Sequence, residues 1–211
     1  MSEWKNMSLG EFQEKLASKD PTPGGGSAAA IALGQAAALT EMVSKLTLGR
    51  EKWEQGWVAA EKTKLVTTNI LSGSAFELAK KDSEAFESVM SAYKLPRDSE
   101  DDKKHRRMKI DDATWSATLV PLETAEIAHE LLSTLPALAK LGNSNAVTDV
   151  GVASLLASAA CKGALFNVEI NLESLPEDDI KVIEIKDKIE KIRLSASELS
   201  KECMKSVKER I

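Results

Sequence analysis

Residues 21–39 read PTPGGGSAAAIALGQAAAL, three consecutive glycines followed by a run of small residues. The apolar part, from Ala28 to Leu39, is about half of the ~20 residues that a membrane-spanning helix needs, and Gln35 interrupts it. The glycines lack the lysine of a P-loop and follow a helical pattern rather than a strand, so both nucleotide-binding fingerprints fail. The stretch therefore predicts a loop that enters a closely packed helix, central in the fold or at a dimer interface, with Ser27 as N-cap.

The composition of the whole chain is that of one globular domain, residues 1–211. Its 211 residues are 43% hydrophobic and 29% charged, enough to bury a core. The net charge of -5 leaves no basic excess for nucleic acid. Cys161 and Cys203 stand far apart and predict neither a disulfide framework nor a zinc site. The amino-terminal residues lack the apolar segment of a signal peptide, so we expect a cytoplasmic protein without a membrane partner.

Hydrophobic periodicity predicts an all-α, single-domain bundle of about six main helices. Ser8 and Glu11 form a capping box before the first short helix, and Gly49 ends the helix that starts at Ser27. Pro121 predicts a kink or break in the region that ends near residue 140. The predicted helical segments cover roughly 9–16, 27–47, 52–93, 108–140, 146–171 and 177–210. Residues 166–172 also alternate with period two, which fits a strand, but no partner strand is present in the sequence.

Asp82 is the first candidate for chemistry. Leu71, Ala75, Leu78, Phe86 and Val89 share its helix face at steps of three and four, and Asp82 is the only charge on that face. A carboxylate that faces inward has its pKa raised by desolvation, which suits general acid–base catalysis near neutral pH. The alternative is a structural carboxylate that pairs with Arg or Lys or caps a neighbouring helix.

A second face predicts a groove or a close packing seam. Small residues occupy its middle, and polar side chains stand at both ends, where asparagine can both donate and accept hydrogen bonds. The face comprises Asp149, Ala153, Leu156, Ala160, Gly163, Asn167 and Asn171. The bare backbone N–H groups of Gly25, Gly26 and Ser27 are candidates for contact with a polar or anionic ligand.

Five blocks of the sequence, in order, resemble the formiminotransferase-cyclodeaminase C-terminal domain family, which includes standalone methenyltetrahydrofolate cyclohydrolases. The blocks are PTPGGGSAAAIALGQAAALTEMVSKLTLGR (21–50), KKDSEAFESVMSAYKLP (80–96), VPLETAE (120–126), LGNSNAVTDVGVA (141–153) and KGALFNVEINL (162–172). The resemblance implies an all-α domain that forms a homodimer, a folate substrate, and neither a metal nor a further cofactor. It also implies that Asp82 is the proton-transfer residue.

The resemblance further implies substrate contacts from Asn143, Asp149, Asn167 and Asn171, although Thr148 stands where the family pattern has serine. A folate carries glutamate carboxylates, so cations at the mouth of the pocket are expected. The candidates are Arg50, Lys52, Arg106, Arg107 and Lys162, each with solvated surface charge as the alternative.

Two reactions remain open at this point, both at the carbon that bridges N5 and N10 of tetrahydrofolate. A cyclohydrolase hydrolyses 5,10-methenyltetrahydrofolate to 10-formyltetrahydrofolate, whereas a formimidoyltetrahydrofolate cyclodeaminase closes the ring and expels ammonia. The length of the chain, which accommodates only one domain, mildly favours the cyclohydrolase. A helical folate-binding dimer without catalysis is the third alternative.

Overall fold

The computed structural model describes residues 3–211, which form helices joined by short loops and contain no strand. Six of these helices are long, which agrees with the predicted number, although the prediction counted the short segment 9–16 among the six and treated 52–93 as one helix. The α-helices are α1 (Glu3–Asn6), α2 (Leu9–Leu16), α3 (Gly25–Thr47), α4 (Trp57–Asn69), α5 (Ala75–Tyr93), α6 (Glu100–Leu141), α7 (Val147–Leu172) and α8 (Ile180–Lys208).

The start of α3 differs from the prediction. Gly24 is the N-cap and makes no side-chain hydrogen bond, so the helix begins two residues before Ser27. The prediction of Ser27 as N-cap is therefore wrong, because its hydroxyl turns away from its own helix toward α5. The predicted end is confirmed: α3 finishes at Thr47, and Gly49 has a φ of 72° that favours glycine. The capping box of Ser8 and Glu11 is also confirmed.

The predicted long helix over 52–93 is divided at the two glycines that interrupt its pattern. A 3-10 turn at Glu51–Gly56 precedes α4, and a π-helical segment at Ile70–Ser74 separates α4 from α5. Gly73 adopts a φ of 136° within that segment. Gly56 lies against the end of α6, where an added Cβ would approach the Gly142 Cα to 3.0 Å.

Pro121 does not break its helix. α6 runs uninterrupted for 42 residues with both Pro121 and Pro136 inside it. Each proline removes a backbone hydrogen bond, but both are buried, as are neighbours such as Leu122 and Leu135. Burial of these residues offsets the local loss, so the prediction of a break is wrong.

The core is built around α3 and α7, which lie antiparallel. Gly25 at the start of α3 faces Asn167, and Leu46 near its end accepts a hydrogen bond from Asn143. Between these points the helices approach closely, since a Cβ on Gly163 would lie 3.6 Å from the Ala29 Cβ. Ala29 and Ala36 are buried within the chain. The small residues of 24–38 therefore build a central helix, the first of the two predicted alternatives.

The outer helices complete the bundle. α8 buries a stripe of apolar side chains between Val182 and Val207, and the period-two segment at 166–172 is helical. The segment Ser144–Leu172 is long and apolar enough to cross a membrane by length and composition, and 56% of its most apolar window is buried inside the protein, as in a core helix.

Candidate active site

A cavity of about 270 Å³ lies where α3 begins and α7 ends, beside the middle of α5. Its walls combine the glycine loop, apolar side chains of α5 and polar side chains of α5 and α7. The lining residues are Pro21, Thr22, Gly24, Gly25, Gly26, Asp82, Phe86, Val89, Ala117, Asn167 and Asn171. The cavity thus joins five of the residues predicted from the sequence, which come from three separate segments of the chain.

The carboxylate of Asp82 lies in this cavity and is half-buried. The Ser27 hydroxyl donates to Asp82 Oδ2 at 2.9 Å. Gly26 lets the carboxylate approach α3, because a Cβ at this position would overlap Oδ1 and lie 2.8 Å from Oδ2. The absence of a side chain at Gly26 is therefore a geometric requirement of the position of Asp82.

Desolvation by burial raises the pKa of the Asp82 carboxyl, and hydrogen bonds from the Ser27 side chain and backbone partly counteract this. Within residues 3–211, none of the ion pairs involves Asp82. The described part of the chain therefore does not pair this carboxylate with Arg or Lys, whereas its hydrogen bonds from Ser27, in the first turn of α3, agree with the alternative that Asp82 caps a neighbouring helix. A desolvated carboxylate that touches a cavity is suited to take up and release protons.

Asn167 and Asn171 present hydrogen-bond acceptors to the cavity. The Asn167 side-chain nitrogen donates to Gly163 O at 2.8 Å, and that of Asn171 donates to Ala117 O at 2.8 Å. Neither side-chain oxygen accepts a hydrogen bond from a protein group in the region that the structure describes. Each amide nitrogen uses one of its two N–H groups in these bonds, and both amides offer their carbonyl oxygens to a ligand that carries N–H donors.

Two further predicted site residues lie at the opposite end of the α3–α7 pair. Asp149 is in the first turn of α7, eighteen residues before Asn167, which is about 27 Å along a helix. Asn143 accepts a hydrogen bond from Asn145 N at 2.9 Å and donates to Leu46 O at 3.0 Å. The structure therefore does not bring Asn143 or Asp149 to the cavity of their own chain.

The predicted cations are also outside the cavity. Arg50 follows the end of α3 and is exposed, and Lys162 is exposed on α7. Arg106 donates to Tyr93 O at 3.1 Å and lies 5.4 Å from the centre of its ring. Lys52 lies 4.7 Å from the centre of the Trp53 ring. Contact of these cations, or of Arg107, with a glutamate tail remains a prediction.

The sequence analysis missed Ser83 and the loop residue Thr22. Ser83 is buried, and its Oγ lies 3.2 Å from Ser27 Oγ. Ala75, Ala79 and Ser83 repeat at steps of four, a small-residue pattern that indicates close approach of another helix. That pattern was available in the sequence. The position of Thr22 depends on the fold of the loop, which includes a cis Thr22–Pro23 peptide.

A metal centre has little support in the arrangement of side chains. Within the described range 3–211, no three His, Cys, Asp or Glu side chains converge as a metal site requires. Burial raises the pKa of the Cys161 and Cys203 thiols to about 11, so both stay protonated at neutral pH.

Comparison with known proteins adds three findings. A family model described as formiminotransferase-cyclodeaminase matches residues 8–191. The chain is 35% identical to a methenyltetrahydrofolate cyclohydrolase of Methylorubrum extorquens over 98% of both chains. It is also 34% identical to a formimidoyltransferase-cyclodeaminase of Sus scrofa, but there 82% of this chain corresponds to only 32% of the relative.

A solved structure with the same fold is the formiminotetrahydrofolate cyclodeaminase of Thermotoga maritima. The two structures superpose with a TM-score of 0.79 at 30% identity, over 98% of this chain and 96% of the other. The likeness therefore extends over nearly the entire bundle, including the helices that form the cavity.

Proposed function

Because this chain belongs to the formiminotransferase-cyclodeaminase family, we propose that it is a one-carbon folate enzyme that hydrolyses 5,10-methenyltetrahydrofolate to 10-formyltetrahydrofolate. The relative that supports this reaction over its alternative is the cyclohydrolase that matches 98% of the chain. The structural observation that carries the proposal is a desolvated carboxylate, Asp82, in a cavity whose other polar groups are neutral.

The cavity suits the bicyclic head of a folate. Its volume of about 270 Å³ is below the ~300–1,000 Å³ of sites that enclose a drug-sized ligand, so the glutamate tail extends outside. The ring donates through N–H and amino groups, which match the side-chain oxygens of Asn167 and Asn171. The ring carbonyl is an acceptor and matches the backbone N–H groups at the start of α3. Phe86 and Val89 supply the apolar wall.

Hydrolysis then needs one group that moves a proton. Water adds to the cationic methenyl carbon while Asp82 takes one of its protons. The carbon–N5 bond breaks as Asp82 returns that proton to N5, and the remaining hydroxyl proton leaves to solvent as the formyl group forms on N10. The substrate cation supplies the electrophile, so the proposed reaction requires no further cofactor.

The second candidate is the cyclodeaminase reaction, which the likeness to the Thermotoga maritima enzyme favours. In that reaction N10 attacks the carbon of the protonated formimino group (N5–CH=NH₂⁺), and Asp82 takes the N10 proton. It gives the proton to the departing amino group, so that ammonia leaves and the methenyl bridge remains. The same carboxylate therefore serves both reactions, and the substrate that the protein turns over distinguishes them.

The test is a pair of absorbance assays with the purified protein. We expect the chromophore of methenyltetrahydrofolate to decay faster with protein than in buffer, and the formimino compound to yield no chromophore at a comparable rate. The reverse result would establish the cyclodeaminase. Absence of both activities, with folate binding retained, would mean that the chain is a binding protein.

The proposal includes a homodimer, because α7 exposes a row of large apolar side chains. Val152, Leu155, Phe166 and Ile170 are 48%, 55%, 62% and 59% exposed. The neighbouring α3 exposes Met42 and Leu46. Several large apolar side chains exposed on one helix mark an association site more often than a solvated face.

Sedimentation velocity at micromolar concentration tests the homodimer. We expect a dimer for the unmodified protein and a monomer for Phe166→Glu, which places a charge in the proposed interface. Leu194→Glu on α8 is the matched control, since Leu194 is 59% exposed and lies outside the row. A monomeric unmodified protein would contradict the homodimer.

A further inference from the structure

We propose that Ser27 and Ser83 form a positioning pair that lets Asp82 gain and lose a proton without moving. The effect of this pair on turnover rests on the proposed function. Ser27 acts on the carboxylate of Asp82 and does not contact the substrate. Ser27 is fully buried and does not line the cavity, whereas Asp82 does.

The Ser27 hydroxyl lies among three polar atoms of α5. Its Oγ is 2.9 Å from Asp82 Oδ2, 3.2 Å from Ser83 Oγ and 3.2 Å from the carbonyl oxygen of Ala79. A hydroxyl has one proton to donate and two lone pairs that accept. Ser27 therefore donates to one of these atoms at a time, and the protonation of Asp82 decides which.

Asp82 Oδ2 has Ser27 as a hydrogen-bond partner in both protonation states. When the carboxylate is ionised, Ser27 donates to Asp82 Oδ2 and accepts from Ser83. When Oδ2 carries a proton, that proton is donated to Ser27 Oγ, and the Ser27 hydroxyl rotates to donate to Ala79 O. A buried polar group that loses its partner carries a large penalty. Rotation of one hydroxyl avoids that penalty in either state, so the heavy atoms need not rearrange.

After desolvation by burial, which is the largest influence on the pKa of Asp82, the hydrogen bonds from Ser27 come next, because no charged group of residues 3–211 lies against the carboxylate. The neighbouring elements present uncharged groups: Gly26 and Ser27 from α3, Ala117 from α6, Asn167 and Asn171 from α7. Of the charges on α5, Lys80 and Glu84 pair with each other at 3.3 Å. Lys81 is exposed, and Glu87 accepts from Thr22 at 3.4 Å.

The first experiment compares steady-state kinetics over pH for Ser27→Ala and the unmodified enzyme. A hydrogen bond to a charged group contributes enough that its loss should lower kcat about 10- to 100-fold. KM should change less than about twofold, because Ser27 does not contact substrate. The acidic limb of kcat/KM should move to higher pH, since removal of the Ser27 hydroxyl takes away a bond that favours the ionised carboxylate.

Two further variants make the result specific. Ser83→Ala should produce a smaller change in the same direction, and the double variant should be no worse than Ser27→Ala, because Ser83 acts through the Ser27 oxygen. Ser44→Ala is the matched control on α3: Ser44 is fully buried, and its hydroxyl has no hydrogen-bond partner among residues 3–211. It should keep the kcat, KM and acidic limb of the unmodified enzyme.

Three outcomes would overturn the positioning pair. A raised KM with unchanged kcat would place Ser27 at the substrate. An unchanged kcat and pH profile would show that Asp82 does not depend on it. A lower kcat without movement of the acidic limb would indicate general disruption.

A second readout separates this inference from the proposed function. The carboxyl carbon of Asp82 can be followed by NMR in the ligand-free protein and assigned by its loss in Asp82→Asn. We expect a higher titration midpoint in Ser27→Ala than in the unmodified protein, whatever the folate assays give. Equal midpoints would overturn the inference even if the enzyme proved to be a cyclohydrolase.

Discussion

At one end of the α3–α7 pair, which we call the cavity end, Asp82, Asn167 and Asn171 leave acceptor oxygens at a cavity. At the other, the capped end, Asn143 uses its side chain to hold Asn145 and Leu46. Arg210 donates there to Ala139 O and Gly142 O at 2.7 and 2.8 Å. Similar polar residues thus stabilise helix termini at one end and remain available at the other.

The difference follows from which backbone groups need hydrogen-bond partners at each end. The last carbonyls of α6 have no partner within their helix, and Arg210 donates to one of them, Ala139 O, and to the carbonyl of the C-cap residue Gly142. The N-cap residue of α3, Gly24, has no side chain that could cap the helix, so the backbone N–H groups at the start of α3 lie beside a desolvated carboxylate that accepts from the Ser27 backbone. An end with unused donors and acceptors can bind a ligand, whereas an end that has used them contributes stability.

The largest expected effect is the loss of turnover in Asp82→Asn. The amide keeps the size of the side chain but cannot take a proton, so kcat should fall by roughly 10²–10⁴. Binding of the folate, measured by calorimetry, should persist. Asp187→Asn on the exposed face of α8 is the matched control and should retain full turnover. Near-normal turnover in Asp82→Asn would remove the catalytic role from the cavity end.

Gly26→Ala should have the next largest effect. Its Cβ would overlap Asp82 Oδ1 and lie 2.8 Å from Oδ2, so the carboxylate must move. A displacement of about 1 Å at a reacting group can lower the rate about 100-fold.

Two other glycine variants serve as comparisons for the effect of Gly26→Ala. Gly25→Ala adds a Cβ at an ordinary 3.8 Å from Asn167 Nδ2 and should lower kcat less. Gly10→Ala meets nothing within 4 Å and should leave kcat unchanged. Equal activity in all three variants would contradict the requirement for glycine at position 26.

The all-α class and most of the long helices could be predicted because amphipathic periodicity and glycine punctuation are local signals. The end of α3 follows from such a signal, whereas the prediction took 52–93 as one helix although Gly56 and Gly73 divide it. The start of α3 could not be predicted, because Ser27 is attracted to α5, a contact over 55 residues of chain. The predicted break at Pro121 was wrong for a similar reason, because packing in the core outweighs the loss of the backbone hydrogen bond that proline removes.

The site was predicted in part. Asp82 stood out as the one charge on its helix face, and the asparagines stood out as polar ends of a seam of small residues. The same pattern of small residues also led to the prediction that Asp149 and Asn167 share a site, although they lie at opposite ends of a helix of 26 residues. Residues on one helix face point in the same direction but can lie far apart along the helix axis. Asn143 and Asp149 were therefore predicted to belong to a cavity that they do not reach.

We expect a substitution at the capped end to change the stability of the protein. Asn143→Ala removes the cap of the turn before α7 and the bond to Leu46, which should lower the free energy of unfolding by about 1–2 kcal/mol. Urea denaturation measures this change, and KM should stay the same. Asn145→Ala, in the same turn and exposed, should be close to neutral. A raised KM in Asn143→Ala would show that the capped end also serves a substrate, through a second copy of the chain.

The smallest expected effect returns to the cavity end and concerns the stability of Asp82→Asn over pH. Burial raises the pKa of the Asp82 carboxyl above its ordinary value of 3.8, so the native state binds this proton more tightly than the unfolded state. The protonated carboxyl stabilises the native state below pH 3.8, and that contribution is lost as pH rises through the native pKa. Asparagine stays neutral throughout, so Asp82→Asn should become more stable than the unmodified protein as pH rises from 4 to 7. Urea denaturation across that range measures the difference, with Ser44→Ala as a control whose difference should not vary with pH. A variant that is no more stable than the unmodified protein at neutral pH would mean that the carboxylate is not held at a cost in the cavity end, and the contrast between the two ends would lose its electrostatic basis.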